Sequence, residues 1–145
     1  MPAENGGKMD TASRLLILGG VLNIAFGLVN GIPIALQRQT KPDYSKYLRL
    51  IHVGALMWGP ILISLAVALT LSPLDASLET FAAALMVTAS LLLNAKDTIN
   101  WRMGIKDEFA EKRQLPQLLG ALFFLTSLVS IAIITFGVVQ GAFSA

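Results

Sequence analysis

The sequence predicts an all-α integral membrane protein that folds as a four-helix bundle. Hydrophobic residues make up 54% of the 145-residue chain and charged residues only 14%, whereas a typical soluble domain has about 25% charged residues. The mean hydropathy is +0.67. The apolar residues are also gathered into four long runs separated by short polar segments. Because this length suits one domain, we expect residues 1–145 to form a single transmembrane domain.

The composition excludes several classes of protein. So little polar surface cannot cover a water-soluble core of this size, which excludes a cytosolic enzyme and a disordered tail. The net charge of +2 is small and is spread along the chain, so we expect no nucleic-acid partner. The chain has no cysteine, which excludes disulfides, thiolate metal sites and iron–sulfur clusters.

The four apolar runs predict helices over residues 14–37, 48–72, 76–102 and 115–141, after a polar N-terminal segment, residues 1–13. A bilayer core of about 30 Å requires about 20 mostly apolar residues in each helix. Helices are expected because an open sheet edge cannot exist in hydrocarbon. The alternating pattern of a transmembrane barrel is missing.

Charged and helix-breaking residues set the limits of the individual helices. Residues 15–37 contain no charge, and residues 51–74 contain only the titratable His52. Pro73 ends the second helix, and Asp75 or Ser77 can cap the third. The uncharged run of the third helix is short and must extend toward Asp75 or past Lys96. Pro116 suits the first turn of the fourth helix, where a missing N–H costs nothing.

The distribution of positive charge predicts the orientation. Lysine and arginine favour the cytoplasmic side of a membrane. They occur in the first and third loops but not in the second loop or at the C-terminal end. We therefore expect loops one and three in the cytoplasm and both termini outside, in a bacterial inner membrane. The eight residues are Arg38, Lys41, Lys46 and Arg49 in the first loop, and Arg102, Lys106, Lys112 and Arg113 in the third.

His52, the only histidine, stands at the start of the second helix. An ionisable group within a span indicates function by default. It is either an interfacial side chain bonded to a neighbouring helix, or a haem ligand, metal ligand or proton carrier. A lone histidine cannot build a zinc site, which requires three or four ligands. It can be the single proximal ligand of a haem.

Two further helices carry polar patterns. On the first helix, glycines and asparagines at helical spacing share one face and indicate either a packing stripe or a surface for a cofactor plane. They are Gly20, Asn23, Gly27, Asn30 and Gly31. On the third helix, Asn94, Asp97 and Thr98 share a face with Trp101. Asn94 lies deep enough in the membrane to need a hydrogen-bond partner, and it is either an interhelical contact or a pocket residue. Asp97 either pairs with a cation or acts as an acid.

These features together resemble the styrene oxide isomerase family of small four-helix membrane proteins. The resemblance rests on His52-Val53-Gly54 followed by Gly59, on Asn94, and on the first-helix segment GGVLNIAFGLVNGIPI. It implies a homotrimer with haem b near the subunit boundaries and His52 as the iron ligand. Gly27, Gly54 and Trp58 would then lie beside the cofactor. The family has asparagine where Trp58 stands and tyrosine where Thr98 stands.

The resemblance also implies an activity, the Meinwald rearrangement of an apolar aryl epoxide to an aldehyde by an intramolecular isomerase. Ferric haem acts there as a Lewis acid, and Asn94, Thr98 and Asp97 would form the pocket for the apolar substrate.

Two other classes of protein stay open. A small four-helix transporter would need an embedded carboxylate, which the first helix lacks between Leu15 and Gln37. A non-catalytic accessory subunit would use His52 and Asn94 only as interhelical contacts.

Overall fold

A computed structural model describes residues 10–40, 44–111 and 113–143, and it confirms the all-α four-helix bundle. The helices are α1 (Thr11–Thr40), α2 (Lys46–Ala68), α3 (Ala76–Arg102) and α4 (Gln114–Phe143), and a 3₁₀ turn (Leu69–Leu71) continues α2. All four are long and apolar enough to cross a membrane. The chain is therefore an integral membrane protein with a lipid bilayer as its surroundings.

The first helix begins earlier than the predicted residue 14 and continues beyond residue 37. Its start is defined by Asp10, whose carboxylate accepts a 2.6 Å hydrogen bond from the backbone N–H of Ser13. This is the bond by which an N-cap satisfies a free N–H of the first turn. Residues 1–9 of the predicted polar segment lie outside the described residues. Pro33 is accommodated within the helix.

The turn between α2 and α3 follows from its local sequence. Pro73 lies two residues after the end of the 3₁₀ turn, and Asp75 caps α3 by accepting a 2.8 Å hydrogen bond from the N–H of Ser77. Hydrogen bonds from Ser77 lower the pKa of the Asp75 carboxyl. Of the two predicted caps, Asp75 is the residue that performs the role.

Helix α1 packs along α2 and α3 packs along α4, and contacts of α3 with α1 and α2 join the two pairs. Small side chains in the core keep the helices close, while the lipid-facing side is apolar, with Leu28, Val29, Phe124 and Phe136 more than half exposed. The larger of two buried apolar clusters consists of Ala12, Leu16, Leu62, Ala66, Leu69, Ala82, Ala83, Met86 and Ile134, and the smaller consists of Ile34, Leu48 and Ile51.

Glycines bring α1 and α2 into close contact. A Cβ atom added to Gly20 would lie 2.7 Å from the backbone oxygen of Gly59, and one added to Gly27 would lie 2.9 Å from Leu56. These distances are shorter than van der Waals contact, so the backbones approach closely only because side chains are missing here. The contacts favour the packing interpretation of the glycines on the first helix.

We expect Gly20→Ala to destabilise the bundle, because its methyl group would meet the Gly59 backbone rather than a flexible side chain. Overpacking of this kind costs about 1–3 kcal/mol. Thermal unfolding of the purified protein in detergent measures the effect. Gly54→Ala is the matched control, since a Cβ at Gly54 has no neighbour within 4 Å. Equal melting temperatures for the two variants would contradict the close-packing argument.

Candidate functional site

The His52 imidazole is held between α1 and α2 by a hydrogen bond to the main chain. Its Nδ1 lies 2.7 Å from the backbone oxygen of Gly27. A carbonyl oxygen can only accept, so Nδ1 carries the proton and donates it. Among the described residues Nε2 has no hydrogen-bond partner. A neutral ring with this bond would have its lone pair on Nε2, the nitrogen available to a metal.

Gly31 forms the second support of the ring. A Cβ atom at Gly31 would lie 3.0 Å from Cε1 of His52 and 3.2 Å from Nδ1. The imidazole thus lies so close to α1 that even a methyl group at this position would crowd it. The sequence pattern on the first helix included Gly27 and Gly31, but it did not show that both glycines serve the histidine.

Gly54 and Trp58 lie on another side of α2. The spacing of an α-helix places Leu56 and Gly59 on the same face as His52, and both contact α1. Gly54 and Trp58 are one turn apart on the opposite side. There Trp58 packs edge-on against Phe123 of α4, with ring centroids 6.0 Å apart. One chain therefore does not bring Gly54 or Trp58 beside His52.

A large open groove of about 750 Å³ lies between α1 and α3. Its walls are apolar, and its polar groups come from three side chains, Asn23, Asn94 and Thr98. Predominantly apolar cavities with a few placed polar groups are typical ligand sites. The groove is lined by Leu22, Asn23, Ala25, Phe26, Val29, Leu91, Asn94, Ala95, Thr98 and Ile99.

A chain of hydrogen bonds crosses from α1 to α3 at this groove. The Asn23 amide donates to the backbone oxygen of Gly19 at 2.8 Å and to the Ser90 hydroxyl at 3.0 Å. Its Oδ1 accepts a 2.8 Å bond from Nδ2 of Asn94. Asn23 and Asn94 are 2% and 8% exposed. Asn94 therefore both joins α3 to α1 by a hydrogen bond and lines the groove.

Thr98 and Asp97 are adjacent in sequence but face different surroundings. Thr98 lines the groove, and its hydroxyl donates to the backbone oxygen of Asn94 at 2.6 Å. Asp97 is buried at 5% exposure and lies 3.3 Å from the ammonium group of Lys96. Of the three predicted pocket residues, the groove therefore contains Asn94 and Thr98, whereas Asp97 pairs with a cation.

The cation is part of a charged cluster that sequence analysis missed. Lys96 Nζ lies 3.0 Å from Oε1 of Glu108, and Oε2 of Glu108 accepts a 2.5 Å bond from Nδ2 of Asn100. The N–H of Glu108 donates to the Tyr47 hydroxyl at 3.0 Å. Glu108 lies in the loop between α3 and α4, twelve residues from Lys96, so no helical spacing could connect the two.

His52 and the groove lie on different faces of α1. Gly20, Gly27 and Gly31 point toward α2, whereas Leu22 and Val29 line the groove. His52 does not line the groove. A single chain thus provides a histidine site and a groove separated by one helix.

Metal binding by protein side chains alone has no support among the described residues, since no three His, Asp or Glu side chains are grouped to hold an ion. A haem iron differs because it requires only one protein ligand. Comparison of the chain with protein-family models, curated proteins and solved structures finds no match. The function must therefore be inferred from the site itself.

We expect Glu108→Ala to destabilise the protein, because Lys96 and Asn100 would lose a partly buried acceptor. A polar group left without its partner away from water costs about 1–3 kcal/mol. Unfolding by SDS in mixed micelles measures this loss. The control is Glu111→Ala in the same loop, where the carboxylate is exposed and bonds the N–H of Lys106. Equal effects of both substitutions would show that the cluster adds nothing to stability.

Proposed function

We propose that this protein is a haem-b membrane isomerase of the styrene oxide isomerase type, which rearranges apolar aryl epoxides to aldehydes. The observation that carries the proposal is the 2.7 Å hydrogen bond from His52 Nδ1 to the backbone oxygen of Gly27. Histidines that bind metals commonly donate their second nitrogen to a carbonyl or carboxylate, which sets the tautomer and orients the ring. His52 has this arrangement.

The residues around His52 fit a histidine that would hold the iron of haem. The ring is half-buried at the start of a membrane helix, and its neighbours are the glycines and apolar side chains of α1 and α2. Gly27 supplies the acceptor oxygen, and Gly31 leaves room for the ring. When bound, ferric haem b would supply a Lewis acid that weakens the C–O bond of an epoxide.

The groove fits the second requirement of the reaction, exclusion of water. Opening an aryl epoxide develops positive charge at the benzylic carbon, which water would trap as a diol unless a 1,2-hydride shift occurs first. The groove walls are almost entirely apolar, and such surroundings bind an aryl ring while keeping water away. Asn94 offers an amide group to the oxygen of the substrate, and Thr98 lies one turn further along the groove.

The proposed active form is a homotrimer. His52 and the groove lie on different faces of α1, so assembly would allow the groove of one protomer to complete the haem site of its neighbour. Gly54 faces open space and would be free to contact a neighbouring protomer, whereas Trp58 packs against Phe123 of its own chain. In the proposed orientation, loops one and three are cytoplasmic in a bacterial inner membrane, because the lysines and arginines concentrate there.

The detergent-purified protein is expected to show a Soret band after expression with haem supplied, and His52→Ala is expected to abolish it. Added imidazole should restore part of the band by replacing the lost ligand. Thr126→Ala is the control, because this hydroxyl bonds only within its own helix. Folded wild-type protein that stays colourless in excess haemin would refute the haem assignment.

Haem-loaded protein is expected to convert styrene oxide to phenylacetaldehyde, as measured by gas chromatography. We expect Asn94→Leu to lower kcat by about 100-fold, the usual cost of removing a hydrogen-bond donor to developing negative charge, without loss of the Soret band. Thr126→Ala should retain full activity. If Asn94→Leu is fully active, the groove is not the site of reaction.

A further inference from the structure

We infer that Asn23 is the positioning residue of the groove, and that it holds the Asn94 amide in one orientation for a neutral, oxygen-bearing ligand. The inference deepens the proposed function, because it concerns the same groove. It starts from a backbone atom whose role is unambiguous. The oxygen of Gly19 can only accept a hydrogen bond, and the Asn23 side chain lies 2.8 Å from it.

The hydrogen bond to Gly19 determines the donor and acceptor of every other hydrogen bond in this network. Because Gly19 accepts, the NH₂ group of Asn23 must face it, and the Ser90 hydroxyl then accepts from the same group. The Oδ1 of Asn23 consequently faces Asn94. Since an oxygen acceptor requires a donor, Asn94 must present Nδ2, at 2.8 Å. The hydrogen-bond partners therefore determine which side-chain atom of each asparagine is the oxygen and which is the nitrogen.

Asn94 is left with groups that no protein side chain uses. One N–H of its amide is committed to Asn23, and no donor among the described residues bonds its Oδ1. Asn94 lines the groove, so the unpaired carbonyl oxygen and the second N–H are the polar groups it can offer to a ligand. A free amide edge within apolar walls suits an apolar molecule with one small oxygen function, such as an epoxide, carbonyl or hydroxyl.

Without Asn23 the Asn94 amide could turn over and exchange its two edges. Rotation about this sp³–sp² bond is broad and has little intrinsic preference. A fixed donor matters for catalysis because a group already oriented in the ground state costs no reorganisation during the reaction. The NH₂ group and the Oδ1 of Asn23 are already bonded to Gly19, Ser90 and Asn94, so its role is to position Asn94.

Asn30 provides a matched comparison on the same helix. Its amide donates to the backbone oxygen of Phe26 at 2.8 Å, as the amide of Asn23 does to Gly19, four residues earlier in both cases. Asn30 makes no cross-helix hydrogen bond among the described residues. Replacing either asparagine removes the same own-helix bond, but only replacing Asn23 releases Asn94.

The experiment measures the Asn94 side-chain amide directly by ¹⁵N–¹H NMR of asparagine-labelled protein in nanodiscs. We expect Asn23→Leu to increase hydrogen exchange of this amide at least about tenfold, the equivalent of one lost hydrogen bond. Asn30→Leu should leave it unchanged. In the haem-loaded protein, Asn23→Leu should lower kcat/KM for styrene oxide by about tenfold with an unaltered Soret band.

Asn23→Gln is the conservative variant, since it keeps an amide whose NH₂ group can bond Gly19 while its oxygen faces Asn94, and it should retain slow exchange of the Asn94 amide. It also serves if Asn23→Leu does not fold. Unchanged exchange in Asn23→Leu, or equal effects of Asn23→Leu and Asn30→Leu, would overturn the inference. Wild-type protein without a Soret band or isomerase activity would refute the proposed function alone, because the exchange measurement does not depend on haem.

Discussion

The hydrogen bond between His52 and the backbone of Gly27 depends on how closely α1 and α2 approach each other. A hydrocarbon core offers no water to polar groups, so an imidazole in a span must find a partner within the protein. The main-chain oxygen of Gly27 is reachable because glycines at positions 20, 27, 31 and 59 remove the side chains that would separate the helices. The close packing of α1 on α2 therefore also provides the hydrogen-bond acceptor of His52.

The lack of water in the membrane also explains the hydrogen bonds between the polar side chains of α1 and α3. Asn23 bonds both Ser90 and Asn94 across the α1–α3 contact, and the shortage of other partners makes this arrangement specific. Because α1 uses one face for α2 and another for α3, it separates the histidine from the groove. This separation is the physical reason that assembly of several chains enters the proposed function.

Charge is handled differently near the end of α3. Lys96 lies between the carboxylates of Asp97 and Glu108, so a cation that is costly in a membrane helix is compensated by one neighbour in the helix and one in the loop. Tyr47 and Asn100 complete the bonding of Glu108 and its backbone. The cluster ties the α3–α4 loop to the bundle, and it occupies Asp97, which the helical face pattern had placed beside Asn94.

The all-α class and the four membrane helices could be predicted from sequence because both depend on properties that add up along the chain, apolar run length and helix-breaking residues. His52 and Asn94 also stood out in the sequence as polar side chains in apolar runs, and the structure gives each of them a hydrogen-bond partner on α1. Which nitrogen of His52 is bonded, which faces Gly54 and Trp58 occupy, and the pairing of Glu108 with Lys96 were decided only by the tertiary structure. These features depend on the rotation of each helix about its axis and on loop geometry, and a one-dimensional pattern constrains neither.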